Sequence, residues 1–96
     1  MVVAAARLSL VMHGCFSLKD KRRLLLRLKD RLRNQFANVA VAEVGGQDSW
    51  TSAVVGLAVV SNDASHAREM LNKAVEFVDS LALGELLDDQ SELFRL

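Results

Sequence analysis

The sequence predicts an α+β fold of four strands and two helices, in the order strand, helix, strand, strand, helix, strand. Three observations predict it. The chain opens on alternating apolar and polar residues, two later stretches repeat apolar residues every three to four positions, and glycine-rich or cap-rich breaks separate the segments. The 96 residues, 51% apolar and 25% charged, suit one domain spanning 1–96 with one modest core.

Residues 2–12 place Ala6, Leu8, Leu10 and Met12 on one side and Arg7, Ser9 and Val11 on the other, the period of a half-buried strand. Residues 14–17 turn the chain. Ser17 and Asp20 have capping-box spacing, each side chain accepting from a backbone donor at a helix start, so the first helix begins near Leu18. Leu24, Leu25, Leu28, Leu32 and Phe36 form its buried stripe, and Ala37 and Asn38 let the chain turn. Residues 39–44 make the second strand. Gly45, Gly46, Gln47 and Asp48 supply a hairpin loop, and residues 52–60, apolar on both alternating faces, read as a central strand. Gly56 inside it marks a bulge or a close backbone approach. Ser61, Asn62 and Asp63 are helix caps; Ala67, Met70, Leu71, Ala74, Val78 and Leu81 carry the second helix to about Ala82, and Gly84 ends it. Residues 86–96 form a less regular strand whose Asp88, Asp89 and Glu92 fit an exposed edge. This order is the ferredoxin-like βαββαβ motif, with two helices on one face of a four-stranded antiparallel sheet.

Composition sets limits on function. The longest uncharged run, residues 49–62, falls short of the about 20 residues a membrane helix needs. The start MVVAAA has no basic region ahead of it and is interrupted by Arg7, which argues against a cleaved secretory signal. Cys15 is the only cysteine, so no internal disulfide forms and a cytoplasmic location is expected. Net charge is zero, but residues 1–62 hold nine basic and four acidic groups, and residues 63–96 three basic and eight acidic. Long-range steering of nucleic acid does not follow from the whole-chain charge, although a local patch can still bind phosphate.

Three stretches, SLKDKRRLLLRLKDRLRNQF from Ser17, VAVAEVGGQDSW from Val39 and GLAVVSND from Gly56, together resemble the YlxP-like bacterial domains of unknown function, over essentially the whole chain. The resemblance implies the same ferredoxin-like fold. Genes for such domains tend to lie among those for translation initiation and ribosome maturation, which implies an association with the ribosome but no mechanism. Members often carry a proline just after the first strand; this chain has none, so the shape of the 13–17 turn does not carry over.

Mechanism is best argued from the first helix, with eight Lys or Arg against two Asp over residues 17–36. Lys19, Arg22, Lys29 and Arg33 cluster with Leu26 on the side away from the leucine stripe, with Arg23 beside them. Lys19, Lys21, Arg22 and Arg23 crowd the first turns, where the helix dipole disfavours each exposed cation by about 0.3–1 kcal/mol. A bound anion reverses that sign, since backbone donors, the Ser17 hydroxyl and these cations converge on one phosphate. The expected nucleic-acid or phosphate site is therefore Ser17, Lys19, Lys21, Arg22, Arg23, Lys29 and Arg33. The competing reading is structural, with Glu69, Glu76 and Asp79 of the second helix neutralising the first.

The two central strands carry no aromatics, so the sheet is not expected to read bases, and RNA contact should be backbone-directed and salt-sensitive. Ala40, Ala42, Gly56 and Ala58, with Val54 and Val60, suggest a flat sheet surface for a second copy of the chain. Partner contacts are expected at Leu26, Trp50, Val54 and Ala58. Trp50 is either an anchor for a partner or the closure of one end of the core, with Asp48 making a turn through its side chain. Glu43 is expected to pair with Arg7 across the sheet. His13, Cys15 and His66 fall short of the four ligands of a closed zinc site. Acylphosphatases share the topology, but the loop His13-Gly14-Cys15-Phe16-Ser17 lacks the arginine of their phosphate cradle; Cys15 with His13 as base is the one nucleophile reading, without a third orienting group. The expectation is a non-catalytic accessory domain without cofactor or metal, contacting ribosomal RNA or a ribosomal subunit through its first helix and forming a homodimer. A protein-interaction module using the sheet face or the Trp50 loop is the alternative, and a small phosphorylated ligand or acylphosphatase-like chemistry the third.

Overall fold

Alternation and helical periodicity resolve into six elements in the computed structural model, which describes residues 1–96: β1 (Val2–Val11), α1 (Leu18–Gln35), β2 (Val39–Gly45), β3 (Ser52–Ser61), α2 (Ala64–Leu81) and β4 (Glu85–Arg95). The strands form one antiparallel sheet in the order β2-β3-β1-β4, the ferredoxin-like arrangement. Every second residue of β1 and β3 faces the helices: Ala4, Ala6, Leu8 and Leu10, then Ala53, Val55, Leu57 and Val59, are buried with Leu25, Leu28 and Leu32 of α1 and Ala67, Leu71, Ala74 and Val78 of α2. Ala67 and Ala74 have no exposure at all, and their small side chains let α2 lie close on the sheet. Phe36 and Phe77, edge to face with centroids 5.6 Å apart, fill the seam beside the core.

The buried stripe of α1 starts one turn earlier than leucines alone would suggest. Position 21 lies four residues before Leu25, so Lys21 points inward and is 1% exposed. Its Nζ donates to the backbone carbonyls of Gly46 (2.7 Å) and Ser52 (3.2 Å) and lies 2.9 Å from Glu43 Oε2. That carboxylate oxygen has no well-directed hydrogen bond, so its bond to Lys21 is an attraction between charges. Lys21 is therefore not a free phosphate ligand, contrary to the sequence expectation. Nor does Glu43 pair with Arg7. Glu43 points to the helices, whereas Arg7, opposite Gly56 on the open face, donates to Gln90.

Glycine roles also shift. The left-handed cap of α2 is Ala82 (φ 52°), not a glycine, and Gly84 instead permits a close approach, since an added Cβ would lie 2.9 Å from Met12 Sδ. Gly56 marks a close approach as well, to Val44 of β2; the register irregularity sits between Glu43 and Gly45 rather than at Gly56.

Replacing Lys21 by Met strands Glu43 and removes a donor from two carbonyls, and should cost about 3 kcal/mol in urea unfolding. Because an apolar pair of similar volume often matches a buried ion pair, adding Glu43→Leu to Lys21→Met should recover part of that loss, and a double variant less stable than the single one would contradict this account.

Candidate functional site

The outer face of α1 follows from the same wheel that sends Lys21 inward. Lys19, Arg22, Arg23, Leu26, Arg27, Arg31 and Arg33 are exposed, and Lys29 is half-buried. From Lys19 to Arg33 the face runs about 21 Å at the usual helical rise. The structure's three ion pairs are His13–Glu85, Lys21–Glu43 and Lys73–Glu69, so all seven outward cations of α1 lack an acidic partner. None of the acids expected to neutralise α1 forms an ion pair with it: Glu69 pairs with Lys73 one turn along its own helix, and Glu76 and Asp79 are in no ion pair. Arg27 and Arg31 extend the face beyond the residues chosen from sequence. Both lie in the same basic run of the sequence, on the flank of the wheel opposite Lys29.

The start of α1 is capped from within. Ser17 Oγ accepts from the Asp20 amide at 3.1 Å, and Asp20 Oδ2 accepts from the Phe16 amide at 3.0 Å, one residue before the cap rather than on the cap's own amide as in a full capping box. Lys21 has turned away toward Glu43, so the cradle drawn around Ser17 and Lys21 does not assemble. The exposed cations farther along α1 are unaffected.

Two other surfaces stand out. The β2–β3 loop turns through Gly46 (φ 71°), and Ser49 rather than Asp48 organises it, its Oγ accepting from the amides of Thr51 (3.3 Å) and Ser52 (3.2 Å). Trp50 is 43% exposed and outside the core, so it does not close the core's end. Phe16, in the facing β1–α1 loop, is 80% exposed, and sequence reasoning gave it no role. The face of the sheet turned away from the helices holds an open trough of about 490 Å³. Its floor is Ala5, Ala40, Ala42, Gly56 and Ala58, with Val44, Phe94, Arg7 and Glu92 around it. Ala58 and Val54 are half-buried on this face.

The residues considered for chemistry are spread apart. Cys15, in the β1–α1 loop, is 5% exposed and packs into the core, while His13 Nε2 lies 3.3 Å from Glu85. No group of three or more His, Cys, Asp or Glu gathers as a metal ion would need, and no helix is long and apolar enough to cross a membrane.

Comparison with known proteins agrees with the fold. The model of a family of proteins of unknown function, DUF503, matches residues 3–90. The chain is 31% identical over 93 residues to the uncharacterized protein YlxP of Bacillus subtilis, covering 97% of this chain and 100% of that protein. Among solved structures, it is similar to the de novo designed protein Foldit4 (TM-score 0.55, 11% identity, covering 100% of this chain and 99% of that one). It is also similar to part of the VAO-type flavoprotein MtVAO615 of Myceliophthora thermophila (TM-score 0.54, 12% identity, 97% of this chain but 16% of that one). At these identities the likeness concerns the fold alone.

The burial of Cys15 has a direct readout. A thiol reagent should label it on the order of 100-fold more slowly in the folded protein than in urea, because reaction waits for an opening of the core. Equal rates would place the thiol at the surface.

Proposed function

We propose that this chain, which belongs to the DUF503 family of proteins of unknown function, is a binding domain without catalytic chemistry that holds the phosphate backbone of RNA along α1. One observation carries the reading: seven cations on the outward half of α1, with Asp30 the one exposed acid among them and no ion pair joining any of the seven to an acid. Clustered like charges on a helix repel one another, and the arrangement is stabilised when a polyanion lies across it and its counterions are released. Arginines predominate, and their forked guanidinium groups suit phosphate oxygens. Leu26, 59% exposed among them, adds apolar contact for sugars or bases. Ribosomal RNA is the partner that the family resemblance suggests, and ribosomal subunits are the natural probe.

The open sheet face supports a second reading, a homodimer. A strand of ten residues and four strands side by side give a face of about 33 by 19 Å, roughly 600 Å² per copy, near the lower end of stable interfaces. The floor of alanines and Gly56 lets another backbone approach closely, and Val60 and Phe94, 59% and 51% exposed, border it.

Both readings are measurable. Purified ribosomal subunits should sediment this protein at low salt, with log affinity falling linearly in log salt; reversing Lys19, Arg22 and Arg23 to Glu should lower the slope by about 2–3 and abolish binding near physiological salt. Reversing Arg95, at the far end of β4, should change neither. Absence of association at low salt would overturn the RNA reading. In analytical ultracentrifugation, Ala58→Arg should convert a dimer to a monomer without altering RNA affinity per chain by more than about twofold, and a parent protein that is monomeric at tens of micromolar would overturn the dimer.

A further inference from the structure

The cationic face explains α1 but leaves the two exposed aromatic side chains at its leading end without a role. Phe16 directly precedes the helix cap and is 80% exposed; Trp50 sits in the β2–β3 loop and is 43% exposed. Phe36 and Phe77, by contrast, pack on each other beside the core, and the third exposed ring, Phe94, lies on the open face of the sheet. The loops bearing Phe16 and Trp50 are also held together. Met12 N donates to Thr51 O at 2.8 Å, and Lys21, one turn into α1, bonds Gly46 and Ser52, the residues on either side of the Trp50 loop. Two aromatic-bearing loops are thus fixed at the same end of the molecule as Lys19, Arg22 and Arg23.

From this placement we infer that Phe16 and Trp50 form a stacking platform for unpaired bases of a single-stranded RNA segment whose phosphates lie on the first turns of α1. The inference rests on the RNA reading above and deepens it. Every base has a π-face, so exposed rings beside a basic surface capture single strands with little regard to sequence, whereas a duplex keeps its bases stacked on one another. The carboxylates at this end fit the same division. Asp20 is held on the Phe16 amide, and Asp48, exposed in the loop, repels phosphate and leaves that loop to bases. Gln47, also exposed, offers an amide to base edges. Because the sheet's central strands lack aromatics, this platform differs from the sheet surface on which RNA-recognition domains stack bases.

Trp50 is the only tryptophan, so its fluorescence reports on its own ring. The full chain would be titrated at low salt with a ten-nucleotide single-stranded RNA and with a blunt-ended RNA duplex of equal phosphate number. The single strand should quench Trp50 and the duplex should not. Phe16→Ala and Trp50→Ala, with binding read by anisotropy of a labelled strand and folding checked by circular dichroism, should each weaken single-strand binding roughly 5- to 150-fold and change duplex affinity less than about twofold. If both RNAs bind without quenching, or the alanine variants bind the single strand like the parent, stacking is wrong and the backbone contact by α1 stands. Binding of neither RNA overturns both proposals. Equal quenching by a poly-glutamate peptide of the same charge would assign the platform to an acidic protein surface and overturn base stacking.

Discussion

A buried ammonium organises this molecule. Lys21 sits where a leucine stripe would place a leucine, and from there it reaches across to β2 and to both ends of the β2–β3 loop. Desolvating a lysine is costly unless its donors and charge are matched, and here two carbonyls accept from it while the Glu43 carboxylate lies beside it as counter-charge. The arrangement is directional where a leucine would not be. A hydrophobic contact tolerates sliding, but an ammonium between Gly46 O, Ser52 O and Glu43 sets both the rotation of α1 and the position of the hairpin loop. With the helix rotation set, the remaining cations point outward. The cationic face of α1 is a consequence of the one cation that does not belong to it.

The sheet divides labour between its two faces. The helix-facing side is built from Leu, Val and Ala in strict alternation, and it holds the core. The opposite side of the same strands carries Ala5, Ala40, Ala42, Gly56 and Ala58 with Arg7 among them, and larger apolar residues such as Val44 and Phe94 at the margins. Alternation in β1 and β3 therefore encodes two surfaces, one filled by this chain's own helices and one left open. That distinction explains why β3 reads as apolar on both sides even though helices cover only one of them.

Much of this was legible in the sequence because the strongest signals were local and repeated. Period-two alternation in β1, the Ser17–Asp20 spacing and the leucine spacing of α1 each depend on neighbours in the chain, and the other four elements rest on local signals of the same kind, such as the 45–48 loop and the caps at 61–63. What escaped depends on partners far apart in sequence. A lysine in a basic run looks like surface until Glu43, Gly46 and Ser52 are brought to it. Cys15 looks like loop until the core closes over it. Ala82 takes a left-handed conformation that sequence reasoning reserved for Gly84, since the need for a glycine at 84 comes from Met12 across the fold. The outward cations of α1 were legible as a group, but whether α2 would neutralise them depended on side-chain reach that spacing does not encode.

The position of β1 has a consequence for biosynthesis. β1 emerges from the ribosome first and occupies an inner place in the sheet, yet one of its two neighbours, β4, begins only at Glu85. At translation speeds of about 5–20 residues per second, the gap between them corresponds to roughly 4–15 s. During that interval the nascent chain can pair β1 with β3 but presents the backbone donors and acceptors of its other edge without a partner. The sheet is thus completed only once β4 has been made, and a nascent chain that stalls before β4 exposes the strand pair most prone to join a neighbour's.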